Sequence, residues 1–363
     1  MIYFKCTCGN ALFFENSICL QCNSLVGYEP GSHQMVPVSA DWMQCRNGID
    51  YGTCNWLVPT KDGPAFCAVC SLNRTVPNLS GPMNLEQWRK MEVAKRRTVY
   101  TLALLGLMPT SKLVDPEGVA FDFLMPNPGQ SVITGHEDGL ITLNLLEADD
   151  LYRERERHTL GEPYRTLVGH FRHELGHYYW DRFFLPQESA ALLEECRALF
   201  GDERADYSAA LAQHYANGPS PTWQDSHITS YASSHPWEDW AETWAQYLQI
   251  VDGVETANAF GWTSDRVPLP FTPFKKSAVS AEGGKGDATF LSTLNGWAKI
   301  SPALNEIAAS MGHSTINPFV LSESAVRKIL FVDKMVKIAS ANWGKKPVLL
   351  KAKAPEVMTA AAA

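Results

Sequence analysis

Residues 170–181 read HFRHELGHYYWD, and the spacing inside this stretch governs how the rest of the chain is read. His173 and His177 stand four residues apart. On an α-helix that separation puts two side chains on one face, one turn apart, where two imidazoles can converge on a single cation. Glu174 lies beside that face and can reach a water that the ion makes acidic. An ordinary surface helix with two histidines would be polar around them. Here Phe171, Leu175, Tyr178, Tyr179 and Trp180 make the segment too apolar for that. Ionisable groups amid such burial need a partner, and a divalent metal supplies one.

Two imidazoles fall short of the three protein ligands that a hydrolytic zinc uses. A metzincin would continue with Gly and then a third His, but Trp180 and Phe183 occupy those places. The gluzincin arrangement takes a Glu from a later helix instead. Residues 235–242 read HPWEDWAE, and Trp237, Trp240, Trp244 and Leu248 give this second helix a strongly apolar character. Glu238 is assigned as the third ligand. Glu242, one turn on, would accept a hydrogen bond from the free ring nitrogen of a ligating histidine and fix its tautomer. The competing assignment exchanges the two glutamates, and Asp181, one turn past His177, is a second candidate acceptor. Tyr231 and His235, just before this helix, are the candidate donors to a developing oxyanion. His170 reads either as support for the site or as a satisfied core residue. Three protein ligands leave one position open, the mark of a catalytic zinc. Gluzincins hold substrate as an added strand on a sheet edge, and Leu140–Leu145 is the candidate edge.

Of nine cysteines, eight fall within the first seventy residues. Cys6, Cys8, Cys19 and Cys22 form C-x-C, ten residues, C-x-x-C. Cys45, Cys54, Cys67 and Cys70 form C-x8-C, twelve residues, C-x-x-C. Tight pairs separated by a short loop present four thiolates tetrahedrally, as zinc ribbons do. Gly9 and Asn23 stand where the turns after Cys8 and Cys22 need left-handed backbone, while Ser71 suits that place less well. Two structural zinc sites are expected, with pairing across the two sets left open and iron as the minor alternative. The single Cys196 reads as a core residue.

The 363 residues carry a formal charge of −8, which disfavours a polyanionic partner. Arg89, Lys90, Lys95, Arg96 and Arg97 cluster on one helix, read as a solvated face. Residues 1–80 carry four Lys or Arg against five Asp or Glu, a balance that suits a structural cap or a protein partner better than nucleic acid. The N-terminus lacks a basic segment followed by an apolar run, so no secretory signal is expected, and no stretch reads as a membrane span. A cytoplasmic protein with reduced thiols follows.

Helices are expected over about 84–107, 161–184, 236–251, 291–311 and 322–342, with helical patterns at 187–216. Loops are expected at 217–234 and over the irregular 261–290. Val119–Leu124, Ser131–Thr134 and Leu140–Leu145, the last after an Asp138-Gly139 turn, read as a small antiparallel sheet. The fold class is therefore α+β and mainly helical. A zinc-ribbon module spans 1–80, a gluzincin-like domain 81–260, a helical subdomain 261–345 and a frayed tail 346–363.

The stretches CTCGNALFFEN, CNWLV, EVAKRRTVYTLALLGL, GEPYRTLVGHFRHELGHYYWDR and YASSHPWEDWAETWAQYL resemble a bacterial family of zinc-binding metallopeptidases with an N-terminal zinc ribbon; NPFVLSESAVRKILFV extends the likeness. The resemblance implies a peptidase-like fold and zinc binding, and supplies no substrate. The function expected is a zinc peptidase with one catalytic and two structural zinc ions, acting on a peptide or protein. Two alternatives are a non-catalytic adaptor docking a protein partner through its ribbons, and a zinc amidohydrolase acting on a non-peptide amide.

Overall fold

The computed structural model describes residues 1–160, 165–186, 189–279, 285–317, 319–343 and 358–359. They form two compact units. The first comprises Met1–Leu104 and Met108–Arg155 with the strand Met358–Thr359; the second comprises Leu105–Leu107 and Glu156–Lys345.

The first unit opens with three two-stranded antiparallel ribbons: β1 (Phe4–Lys5) with β2 (Ala11–Leu12), β3 (Val26–Glu29) with β4 (Gln34–Pro37), and β5 (Trp42–Gln44) with β6 (Leu57–Pro59). A short helix α1 (Arg46–Tyr51) sits between β5 and β6. Strands this short cannot bury a core alone, and aromatic rings fill the space between them. Tyr28 lies 4.8 Å from Trp56 and 5.1 Å from Phe14, centroid to centroid. Phe14 lies 4.9 Å from Tyr100. Tyr100 belongs to α2 (Asn84–Leu104), so the long helix completes the ribbons' core.

Helix α2 corrects the reading of its basic cluster as a solvated face. Lys95 is fully buried and Arg96 nearly so. The Lys95 ammonium lies 2.8 Å from the equally buried Glu92 carboxylate, hydrogen-bonds Asn73 Oδ1, and sits over the Phe121 and Phe123 rings at 5.6 and 5.2 Å. Arg96 donates to Thr53 O and pairs with Glu15 at 3.1 Å. Arg89 donates to Tyr51 O at 2.9 Å. Acceptors of Thr53, Asn73, Glu15 and Glu92 draw Lys95 and Arg96 inward, because a buried acceptor left unpaired is costly, while Arg89, Lys90 and Arg97 stay about 40 % exposed.

The sheet is mixed, where an antiparallel one was expected. Its order is β11 (Met358–Thr359), β7 (Asn73–Val76), β8 (Ala120–Leu124), β10 (Leu140–Asn144), β9 (Gly135–Glu137). β8 pairs with β10 in parallel, and only β9 with β10 is antiparallel. The Asp138-Gly139 turn forms as read, with both residues at positive φ (45° and 71°), the type I′ requirement of a two-residue hairpin. Its partner strand is 135–137, not 131–134. The Asn144 side chain donates to Val132 O at 3.1 Å, and Asn144 N donates to Thr134 Oγ1 at 3.1 Å. Side-chain groups thus take the place of a ladder there. β10 is paired on both sides, so Leu140–Leu145 is not a sheet edge and cannot take a substrate strand.

Helix α3 (Asp150–Leu160) crosses the unit boundary. The second unit is helical: α4 (Leu167–Phe184), α5 (Ala190–Phe200), α6 (Tyr207–Asn217), α7 (Pro236–Ala259), α8 (Lys276–Val279), α9 (Lys285–Ser310) and α10 (Glu323–Trp343). α4 starts at 167 because Thr166 Oγ1 accepts the Gly169 amide at 3.0 Å, an N-cap; residues 161–164 of the expected helix lie outside the described residues. α9 begins inside the stretch read as irregular. α7 is the central element, burying Trp240, Trp244, Tyr247 and Leu248 among α4, α5, α9 and α10. Cys196 is buried in α5. Among the described residues no helix is long and apolar enough to cross a membrane.

The buried ion pair gives a direct test. Lys95→Ala strands the Glu92 carboxylate without its cation and is expected to cost about 3–5 kcal/mol, measured by urea unfolding. A loss under about 1 kcal/mol, the scale of an exposed pair, would contradict the burial described.

Candidate metal centre

Helices α4 and α7 cross at very short range, and a glycine permits it. A Cβ on Gly176 would stand 3.0 Å from Ala241 Cα and 3.1 Å from Trp244 Cδ1. The Trp240 indole N–H donates to Gly176 O at 2.9 Å, pinning the crossing. Tyr179 stacks on Trp244 at 4.9 Å. The crossing brings the N-terminal part of α7 against the histidine face of α4.

Three donor atoms converge there. His173 Nε2 lies 3.1 Å from His177 Nε2 and 3.0 Å from Glu238 Oε2; His177 Nε2 lies 3.6 Å from the same oxygen. A zinc ion bonded tetrahedrally at about 2.0–2.1 Å separates its ligand atoms by about 3.3 Å, so the triangle fits. Glu238 Oε2 is buried with no hydrogen bond. The other ring nitrogen of His173, Nδ1, meets Glu242 Oε1 at 2.7 Å. If Nδ1 donates its proton to Glu242, Nε2 turns a lone pair toward His177 and Glu238. Lone pairs crowded this way, away from water, call for a cation between them. A proton can serve in the same role: burial opposes charge on His173, but Glu238 and then Glu242 prevail and raise its pKa well above the ordinary imidazole value.

Glu174 is buried beside its two neighbours on α4. Burial pushes its carboxyl above the ordinary range, against the pull of His173 and His177. Among the described residues no fourth His, Cys, Asp or Glu joins the His173, His177, Glu238 group. The His173 side chain keeps 14 % exposure, against 4 % for His177 and 1 % for Glu238, the most of the three.

Of the two glutamates, Glu238 meets both imidazoles and Glu242 bonds the far side of His173. Asp181 is half-buried one turn past His177; the carboxylate on His173 Nδ1 is Glu242. Tyr231 has its ring 6.0 Å from that of His173. Burial first, and then the Glu238 charge, raise its phenol and keep it a neutral donor. His235 corrects the expectation of an oxyanion donor. It is buried, its Nε2 donates to Ala205 O at 3.1 Å, and its Nδ1 accepts the Trp237 amide at 3.1 Å. With both nitrogens engaged it is the N-cap of α7.

Sequence reading missed two residues. The Tyr207 hydroxyl, at the start of α6, donates to Glu238 Oε1 at 2.7 Å. The Trp237 ring lies 3.9 Å from the His177 ring. Trp237 was legible only as an apolar helix position, and Tyr207 gave no signal, since it lies 31 residues from Glu238 in a segment without periodic contacts to that helix.

The cysteines close into two clusters, each within its own set: Cys6, Cys8, Cys19, Cys22, and Cys45, Cys54, Cys67, Cys70. Cys6 and Cys22 sulfurs lie 3.6 Å apart, Cys8 and Cys19 3.7 Å, and Cys54 and Cys67 3.7 Å. Tetrahedral zinc at about 2.3 Å from each sulfur spaces them by about 3.8 Å, far beyond a disulfide at about 2.05 Å. Gly9 and Asn23 take positive φ (88° and 59°) as the turns require. The Cys22 backbone N–H, outweighing desolvation, helps hold the Cys19 thiol down at about 6.

Two imidazoles and a carboxylate in the second unit, and two four-cysteine clusters in the first, are donor sets that suit zinc. Comparison with known proteins gives the family. Residues 84–335 match the family described as "Putative zinc-binding metallo-peptidase", and residues 3–81 match a zinc-ribbon domain. The chain belongs to that metallopeptidase family. Uncharacterized proteins of Mycobacterium tuberculosis (strain H37Rv) and Mycobacterium bovis are each 40% identical to it over 337 residues, covering 92% of this chain and 94% of the relative. No solved structure matches it at a significant level.

The crossing is testable at its tightest point. Gly176→Val places two methyl groups against Ala241 and Trp244 and is expected to cost about 1–3 kcal/mol, read as a lowered thermal unfolding midpoint. An unchanged midpoint would show that the helices do not meet as described.

Proposed function

We propose that the chain is a zinc-dependent peptidase of the gluzincin type, with His173, His177 and Glu238 holding the catalytic ion and Glu174 as general base. Cys6, Cys8, Cys19 and Cys22 would hold one structural zinc, and Cys45, Cys54, Cys67 and Cys70 another. The observation that carries the reading is a three-donor group that no fourth acidic, histidine or cysteine side chain among the described residues completes. A structural zinc is closed by four protein ligands, and a catalytic one keeps a place for water or substrate. This favours an enzyme over an adaptor stapled by metal.

When bound, zinc supplies Lewis-acid polarisation to a carbonyl and acidity to a water. Glu174 takes the proton from the attacking water and delivers it to the leaving amine nitrogen. Glu242 holds His173 in one tautomer through the 2.7 Å contact at Nδ1. Tyr231, a neutral phenol beside His173, is the remaining candidate for the oxyanion donor. Peptide rather than another amide as substrate rests on the family description. Protein contact through the ribbons and a cytoplasmic location remain parts of this proposal.

Glu174→Gln separates chemistry from binding. The variant is expected to keep the zinc content of the wild-type chain and to lose about 10²–10⁴-fold in cleavage. The checks are metal analysis and a peptide-library digestion run on both chains. Equal cleavage by wild type and variant would sink the mechanism.

A further inference from the structure

Glu238 has two oxygens, and the structure treats them differently. Oε2 faces His173 and His177 at 3.0 and 3.6 Å without a hydrogen bond. Oε1 accepts the Tyr207 hydroxyl at 2.7 Å. A carboxylate free on both sides can turn both oxygens to a cation, whereas one whose second oxygen is held by a donor presents a single oxygen.

Tyr207 is placed by the local architecture. It is the first residue of α6, whose N-cap Asp206 accepts the Ala209 amide at 2.9 Å. Two residues earlier, Ala205 O accepts the His235 Nε2–H at 3.1 Å, tying the start of α6 to the N-terminus of α7. The Tyr207 ring packs edge-on against His235 at 5.2 Å and Trp237 at 5.9 Å. A link from one helix start to the other thus holds the phenol over Glu238.

We infer that Tyr207 is a positioning residue that restricts Glu238 to one metal-binding oxygen and so preserves the open coordination place, with His235 as its anchor. The inference rests on the proposed ligand role of Glu238 and extends it to a residue that touches neither substrate nor ion. Without the hydroxyl, Oε1 is free to swing toward the cation and fill the place meant for water or substrate.

The test measures zinc binding, not turnover. Wild-type, Tyr207→Phe, Tyr215→Phe and Glu238→Ala chains are titrated against a chromophoric zinc chelator, and the zinc-loaded Tyr207→Phe chain is crystallised. The zinc-loaded Tyr207→Phe chain is expected to show both Glu238 oxygens turned to the ion, with the most labile zinc held at least as tightly as in wild type because the carboxylate supplies a second contact. Tyr215→Phe, on the same helix, is expected to bind as wild type. His235→Gln provides a second perturbation of the same link; its effect should combine less than additively with that of Tyr207→Phe. If Tyr207→Phe keeps one oxygen on the ion while Glu238→Ala loses that zinc, the inference is overturned and the ligand assignment stands. If Glu238→Ala keeps all its zinc, the ligand assignment itself fails and the inference with it.

Discussion

The second unit depends on how closely α4 and α7 approach at Gly176. Two helices with ordinary side chains at their contact pack with axes about 8–10 Å apart. Here a Cβ at Gly176 would press on Ala241 and Trp244 at 3.0 and 3.1 Å, and the Trp240 indole spans the contact to the Gly176 carbonyl. The residue that separates Glu174 and Leu175 from His177 is therefore also the residue that lets Glu238 arrive. Histidine spacing and helix packing are met by the same five residues. Tyr179, Phe183, Trp240 and Trp244 pack as an aromatic layer around them.

Charge balance follows from that geometry. Two carboxylates, Glu238 and Glu242, flank His173 on opposite ring nitrogens, and a third, Glu174, is buried next to it. A site so rich in acidic groups away from water is stable only around a positive charge. The first unit solves the same problem differently. There Lys95 neutralises Glu92 within the protein, and eight thiols gather in two groups whose sulfur spacing suits a divalent ion. One chain thus holds buried charge both with its own cations and with a cation it must acquire.

The legible part of the molecule was the part written at short range. The four-residue histidine spacing, the apolar character of 171–180, the two C-x-x-C pairs and the Asp138-Gly139 turn each name a local geometry that only a few structures satisfy. Glu238 was reachable because a second pair of acidic residues at helical spacing stood among tryptophans. What failed was non-local. The parallel pairing of β8 with β10 is a backbone ladder between segments about twenty residues apart, which no local periodicity reveals. The burial of Lys95 and Arg96 depends on carbonyls and carboxylates of Thr53, Asn73 and Glu15, far off in sequence. His235 carried the right residue type for chemistry, but its position before Pro236 made it a cap. Tyr207 lay on a short, largely exposed helix, with nothing around it to mark a partner.

The central claim is that His173, His177 and Glu238 share one zinc while the cysteine clusters hold two more, three groups among the described residues. Zinc per chain, measured by mass spectrometry of the metal in wild-type and His177→Ala protein purified side by side, tests it most directly. The account expects three equivalents in the wild type and two in the variant, with the ribbons still loaded. The same zinc content in both chains would contradict it.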